Sequence, residues 1–331
     1  MKLLITREIP DAGIKILEQY PSIEIDYRKG PPLSEEALLK AVVGVDAILP
    51  VIPDKITQKI IEAAGQNLKI IAHYAVGYDN IDIETATKNK VYVSNTPGDL
   101  TESVAEFTLG LIYALSKNIV TADKFVRNGN YQFWDPMLFL GPTLRNKVLG
   151  IIGMGRIGQH LARLAHGGLK MKILYSDPKE HIDIEKECDA KKVELEELLT
   201  NSDFVSLNCP LIESTRHLIN QKELELMKPT AYLINTARGP IVNEAALYEA
   251  LKNNTIEGAA LDVFEDEPSL YNGLTSLNNI ILTPHIASAT REARIQMARM
   301  AAQNIIDVLI KGTAPTNLVN MELADKIGKI A

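Results

Sequence analysis

One stretch of twelve residues limits what this 331-residue chain can become. Lys147-Val-Leu-Gly-Ile-Ile-Gly-Met-Gly-Arg-Ile-Gly158 starts as an apolar run, Val148 to Ile152, and leads directly into Gly153-x-Gly155-x-x-Gly158. A helical pattern follows, and the next strand-like run, Lys172 to Ser176, ends at Asp177. Each part has a physical task. Gly153 permits a tight turn, Gly155 lets the backbone approach a pyrophosphate, and Gly158 lets helix and strand pack closely. The helix that opens there points free N–H groups at phosphates. Asp177, 19 residues beyond Gly158, is placed to accept hydrogen bonds from adenosine ribose hydroxyls. Three spaced glycines alone are weak evidence. A strand before, a helix after and an acid at this offset make the stretch a dinucleotide-binding unit.

Around it, strand-like runs alternate with helical ones. Short apolar or β-branched runs bounded by polar, Pro or Gly residues predict strands at 3–6, 23–27, 47–50, 69–74 and 91–95, with helical stretches at 12–19, 35–43 and 56–64 between them. A second strand series follows the glycine motif, at 172–176, 204–208, 231–236, 258–263 and 280–282. Alternation of this kind builds parallel sheets with helices on both faces. The fold class is therefore α/β, with two doubly wound units. Because the nucleotide motif begins mid-chain, a whole unit precedes it. Asp99-x-x-Glu102 reads as a helix start, and Val104 to Leu115 as a buried bridge between the units. Residues 288–311 carry Ala293, Met297, Met300, Ala301, Ile305 and Val308 at helical spacing. That helix is long enough to return the chain to the first unit, where 313–320 would finish. The expected organisation is a discontinuous domain, 1–98 plus 287–331, around a continuous nucleotide domain, 99–286, with a cleft between.

Composition narrows the function classes. A net charge of −7 argues against a nucleic-acid-binding surface. The two cysteines, Cys188 and Cys209, are not at metal-ligand spacing, so no metal centre and a reducing compartment are expected. Charge enters the N-terminus too early for a secretory signal, and the longest uncharged apolar stretch, 107–116, is too short to span a bilayer. A cytoplasmic protein without membrane partners is the expectation.

Ligands of open parallel sheets sit beyond the carboxyl ends of the strands, and ionisable residues gather there. Leu233-Ile-Asn-Thr-Ala-Arg238-Gly puts an arginine just past one strand, and Ala259-Ala-Leu-Asp262-Val-Phe-Glu-Asp-Glu267-Pro puts one acid near a strand end and another in the loop after it. Ile280-Ile-Leu-Thr-Pro-His285 adds a histidine past the last strand. A guanidinium holds a carboxylate bidentately, as lysine cannot. An imidazole exchanges a proton with an oxygen as hydride arrives or leaves, and a carboxylate beside it stabilises imidazolium. Taken singly, Arg238 is also readable as a surface arginine, Glu267 as a solvated loop acid and His285 as a structural histidine. His73 is expected to be packed or capping, His160, His166 and His181 to lie on helices or the surface, and His217 to satisfy local backbone groups. Cys209, before Pro210, is expected to be a small buried residue, with a place along the adenine side as the alternative.

Gly-Met-Gly-Arg-Ile-Gly, Asn-Thr-Ala-Arg-Gly-Pro, Leu-Asp-Val-Phe-Glu-Asp-Glu-Pro and Thr-Pro-His-Ile-Ala-Ser-Ala-Thr occur in this order. Together they resemble the D-isomer-specific 2-hydroxyacid dehydrogenases over essentially the full chain, including Ala-Val-Gly-Tyr-Asp-Asn-Ile-Asp (75–82) and Asn-Thr-Pro-Gly-Asp-Leu-Thr (95–101). Within that family the chain is most similar to glyoxylate/hydroxypyruvate reductases. The resemblance implies a flavodoxin-like substrate domain beside a Rossmann NAD domain. Asp177, followed by Pro178, puts a negative charge where a 2′-phosphate would lie, so NADH is expected to be preferred over NADPH. The resemblance implies catalysis by Arg238, Glu267 and His285, and substrate contacts from Val76, Gly77, Arg238, His285 and Trp134. Cofactor contacts would come from Gly153, Gly155, Arg156, Ile157, Gly158, Asp177, Pro210, Thr236, Ala237, Arg238, Asp262, His285 and Ala287. It also implies a homodimer in which the segment around Trp134 reaches the partner's site, so that Trp134 is a substrate wall or dimer packing. Alternatives with the same motifs are D-3-phosphoglycerate and D-lactate-type dehydrogenases. A non-enzyme alternative is an NAD-sensing transcriptional corepressor, which would carry an added flexible tail not expected here.

Overall fold

All ladder pairings between the described strands are parallel, so the chain must cross back between consecutive strands, and helices make those crossings. The computed structural model describes residues 1–98 and 100–324. It divides into two units, Met1–Leu100 with Ala289–Ala331, and Thr101–Ser288.

In the first unit, β1 (Lys2–Ile5), β2 (Glu24–Tyr27), β3 (Ala47–Leu49), β4 (Ile70–Ala72) and β5 (Tyr92–Ser94) lie in the order β2-β1-β3-β4-β5. This is the flavodoxin-like arrangement. Both faces are covered, and the period-2 alternation of a strand sorts its side chains between them. Leu3, Ile5, Leu49 and Ile70 pack with Leu17, Met297, Ala301 and Ile305, while Leu4, Ile48 and Ile71 pack with Leu38, Ile60 and Ala86. On the first face, helix Asp11–Leu17 meets helix Arg291–Leu309 so closely that a Cβ on Gly13 would stand 2.6 Å from the Ala298 carbonyl oxygen. Residues 319 and 320 then lie along β5. Val319 N–H donates to Val93 O, and the Asn320 side chain accepts from Val93 N–H and donates to Val91 O.

Some expected bounds shift for local reasons. The helix expected at 56–64 starts at Gln58, because Ile56 is held in a strand-like bridge, accepting from Asp82 N–H and donating to Asn80 O. The expected bridge is helix Leu100–Ser116, and its Ala105, Leu111, Ile112 and Leu115 belong to the core of the second unit. Asp99, half of the expected helix start, lies outside the described residues; Glu102 stands in the first turn.

The second unit contains β6 (Val148–Ile152), β7 (Lys172–Ser176), β8 (Lys191–Lys192), β9 (Phe204–Leu207), β10 (Tyr232–Asn235), β11 (Gly258–Leu261) and β12 (Ile280–Leu282), in the order β8-β7-β6-β9-β10-β11-β12. The first six in chain order have the Rossmann 3-2-1-4-5-6 topology, with β12 added outside β11. Register decides where its functional edge lies. Ser176 pairs with Ile152, Ile152 with Leu207, Leu207 with Asn235, Asn235 with Leu261, and Leu261 with Leu282. Six strands therefore end in one row, and whatever follows each leaves from the same edge. Among the described residues, no helix is long and apolar enough to cross a membrane.

Candidate active site

In that row, between β7 and β9, β6 turns at Gly153, whose φ of +93° is open to glycine and strained for other residues. A Cβ there would also lie 2.6 Å from Cys209 N. Helix Arg156–Leu169 follows with Gly155 as its N-cap, and no side chain caps its free N–H groups. A Cβ on Gly155 would point into open space, whereas one on Gly158 would come within 2.4 Å of the Gly153 carbonyl. The first glycine thus serves the turn and the last the packing of helix on strand, while Gly155 leaves room at an uncapped helix N-terminus. That combination fits a pyrophosphate. Arg156 is exposed and Ile157 half-buried beside it.

Asp177 follows β7 in the same row. Its Oδ2 accepts from Met154 N–H at 2.8 Å and its Oδ1 from Lys179 N–H at 2.9 Å, so the acid also fixes the glycine turn. Burial pulls its carboxyl up, but the Lys179 and Met154 N–H groups and His181 outweigh that and hold it below the usual carboxylate range. His181 was not expected here. Its Nε2 stands 3.5 Å from Asp177, and Gln159 contacts its other ring nitrogen. It immediately precedes helix Ile182–Cys188 and turns inward instead of facing solvent. Past β9, Pro210 is exposed and Cys209 half-buried, with burial pushing the Cys209 thiol up to about 11.

After β10, a tight turn carries Thr236, Ala237 and Arg238. Asn235, fully buried, accepts from Ala237 N–H and donates to Arg238 O, closing the turn with its side chain. Asparagine is disfavoured in strands, and this one at a strand end was the overlooked signal that the following arginine is held in place. The Arg238 Nη1 donates to Ala237 O. Gly239 comes next, where a Cβ would collide with the Phe264 carbonyl at 1.8 Å, so this turn lies directly against the loop after β11. Thr236 shares a 2.9 Å hydroxyl contact with Thr108.

Asp262 begins that loop and is 0% exposed. Its carboxylate accepts from the Thr283 hydroxyl, Ile286 N–H and Ala287 N–H, and its carbonyl from His285 N–H. The acid therefore shapes the whole 283–287 segment and sets His285 in its left-handed conformation, φ +54°. His285 Nδ1 then meets Glu267 Oε2 at 2.8 Å, both side chains part-exposed. The other Glu267 oxygen accepts from Phe264 N–H at 3.0 Å. Burial alone would raise the Glu267 carboxyl. The His285 ring, Phe264 N–H and the Arg238 charge together hold it below the ordinary range. An ionised Glu267 can only accept, so Nδ1 carries the hydrogen between them and Nε2 is the ring nitrogen that can exchange a proton with a ligand.

Val76 and Gly77 follow β4 in the first unit, with Val76 exposed and its carbonyl bound by the Asn95 side chain at 2.8 Å. Trp134 is 76% exposed, and Tyr131, Phe133, Met137 and Leu140 of the same segment are exposed with it. His73 is buried, its Nδ1 3.2 Å from Pro50 O. His217 departs from expectation. Instead of serving backbone groups, its Nε2 pairs with the Glu265 carboxylate at 2.8 Å, a contact 48 residues apart that local sequence does not announce.

Residues 109–287 match the family model for the D-isomer specific 2-hydroxyacid dehydrogenase, NAD binding domain. Over 327 residues the chain is 49% identical to the glyoxylate reductase of Thermococcus litoralis, covering 97% of both. The crystal structure of the TT0316 protein from Thermus thermophilus superposes with a TM-score of 0.90 at 38% identity, over 96% of this chain and 100% of that one. The NADPH-dependent glyoxylate/hydroxypyruvate reductase from Sinorhizobium meliloti, in complex with citrate, gives 0.83 at 28% identity and 98% of both chains.

Proposed function

The chain belongs to the D-isomer specific 2-hydroxyacid dehydrogenases, and we propose that it carries out the NADH-dependent reduction of a small 2-oxo acid, glyoxylate or hydroxypyruvate, to the 2-hydroxy acid of D configuration. The observation that carries this proposal is the His285–Glu267 pair at 2.8 Å, with the Arg238 charge acting on Glu267. Kinship with glyoxylate reductases supports the choice of substrate.

In this scheme Arg238 holds the substrate carboxylate with paired N–H donors, and Val76 and Gly77 are further proposed substrate contacts through their backbone N–H groups. A bound nicotinamide supplies the hydride that reaches the carbonyl carbon. His285 gives its Nε2 proton to the carbonyl oxygen, and Glu267 stabilises the ring's positive charge until that transfer. In the oxidative direction, Nε2 takes the proton from the hydroxyl. Asp262 holds the His285 loop from behind. Gly153, Gly155, Arg156, Ile157, Gly158 and Asp177 bind the pyrophosphate and adenosine side of the cofactor, with Pro210, Thr236, Ala237 and Ala287 along the rest.

NADH is preferred because Asp177 puts a negative charge where a 2′-phosphate would lie. Repulsion in a partly desolvated pocket is worth roughly 1–3 kcal/mol, or about one to two decades. The exposed segment around Trp134 is an apolar patch of the kind that marks an interface, and a homodimer that buries it would bring Trp134 to the partner's substrate site. A cytoplasmic setting agrees with two thiols that stay unpaired.

The test is a panel of 2-oxo acids assayed with both reduced cofactors. Glyoxylate or hydroxypyruvate should turn over best with NADH, and Asp177→Ala should narrow the gap to NADPH. Preference for a phosphorylated 2-oxo acid would overturn the substrate, and equal efficiency with both cofactors would overturn the role of Asp177. Sedimentation of an active monomer at assay concentration would dispose of the Trp134 contact.

A further inference from the structure

We propose that Glu244, Glu265 and His217 form a brace that sets the position of Glu267, and through it the proton-donating state of His285. The inference rests on the assignment of His285 and Glu267 as the acid–base pair.

The loop after β11 carries two glutamates two positions apart. Glu267 meets His285, and Glu265 meets His217. Glu244, the first residue of helix Glu244–Lys252, interlocks with the second of these pairs and is 3% exposed. Its backbone N–H donates to Glu265 Oε1 at 2.7 Å, and its own Oε1 accepts from Glu265 N–H at 2.8 Å. Its Oε2 accepts from Tyr271 N–H at 2.9 Å. One buried carboxylate thus grips the loop at residues 265 and 271, on both sides of Glu267. His217 holds the outer oxygen of Glu265, so the side chain facing Glu244 is itself held.

Such an arrangement is unfavourable for stability alone. Burial pushes the Glu244 carboxyl up, backbone donors from Glu265 and Tyr271 counter it, and the charges of Glu265 and Glu267 push it further up. Three carboxylates close together repel one another, and an apolar residue at 244 would avoid that. What an apolar residue lacks is two acceptors fixed on a helix end, able to hold a loop in one conformation. Glu267 needs that constraint, because it is bonded to His285 while the charges of Arg238 and Glu244, opposite in sign, act on it, and a small displacement would change their balance. The side chains of Glu244, Glu265 and His217 act on the reaction through Glu267 and are therefore positioning residues.

The test compares kcat and the pH dependence of glyoxylate reduction with NADH in Glu244→Ala, Glu265→Ala and Glu265→Gln, with Glu267→Gln as reference. Both alanine variants should lose about 10-fold to 10²-fold in kcat with KM little changed, the scale of a mispositioned catalytic group. Their alkaline fall in rate should move to lower pH, in the same direction as in Glu267→Gln, because a displaced Glu267 stabilises imidazolium less. Glu265→Gln should restore both readings, since its amide keeps an oxygen for Glu244 N–H and offers N–H to His217. The position of the fall does not depend on how much protein is folded. A poorly folding Glu244→Ala therefore still reports, and the part-exposed Glu265 gives a milder variant. The brace is wrong if Glu267→Gln moves the fall and neither alanine variant does. If Glu267→Gln leaves it in place, the acid–base assignment itself fails.

Discussion

Two histidine–glutamate pairs hang from one short loop, and by local geometry they are nearly twins. Each has a 2.8 Å nitrogen–oxygen contact between part-exposed side chains. Each histidine has a left-handed backbone, φ +50° at His217 and +54° at His285. Their surroundings separate them. His285 leaves the row of six strand ends, Asp262 clamps its segment, and the Arg238 charge reaches its glutamate. His217 lies in the connection between β9 and β10 and is bonded through Nε2, whereas His285 meets its glutamate through Nδ1. A histidine–carboxylate pair is therefore no catalytic site by itself. Which ring nitrogen is occupied, and which charges stand nearby, decide whether it can donate a proton to a ligand.

The largest effect should come from removing the two histidines in parallel. His285→Ala should lower kcat by about 10²–10⁴-fold, the usual scale of general acid–base catalysis, while NADH affinity measured by fluorescence stays nearly intact. His217→Ala should lower it no more than about fivefold, the worth of one net hydrogen bond. Equal losses would erase the distinction between the pairs.

Arg238→Lys should come second, because the arginine is what the His217 pair lacks. Lysine keeps the charge but loses the planar paired donors that orient a 2-oxo acid, so KM should rise and kcat fall by up to about 10²-fold. Near-normal kinetics would mean that Arg238 is not the group that holds the carboxylate.

The smallest effect is on stability in acid. Glu267 is held below its ordinary pKa, so its contribution is present above the ordinary carboxylate range and fades as pH falls through the lowered value. Glu244 is raised, which gives the opposite sign: stability declines as pH rises from the ordinary value to the raised one. Melting curves across acid pH should therefore lose part of their downward acid slope in Glu267→Gln. An unchanged slope would show that Glu267 gains nothing from its partners.

The glycine turn, Asp177 and the residues just past β10, β11 and β12 were legible in sequence because parallel strands put function at their carboxyl ends. Each is announced by a break in an apolar run. Asn235 was missed because its task, closing a turn with its own side chain, leaves only one unusual residue in a strand. Glu244 and His217 were missed because their partners lie 21 and 48 residues away, and no periodicity records a side-chain pairing across loops. Asp262 was legible as an acid at a strand end. Its three hydrogen bonds to the histidine segment needed the fold to bring 283–287 beside it.

The most direct measurement is the pH dependence of kcat/KM for glyoxylate reduction with NADH in the wild type, Glu267→Gln and Glu265→Gln. With Glu267 as the partner of the proton donor, the alkaline fall moves to lower pH in Glu267→Gln and stays with the wild type in Glu265→Gln. A fall that is unmoved in Glu267→Gln, or displaced equally in both, would contradict the assignment of His285 and Glu267 as the reacting pair.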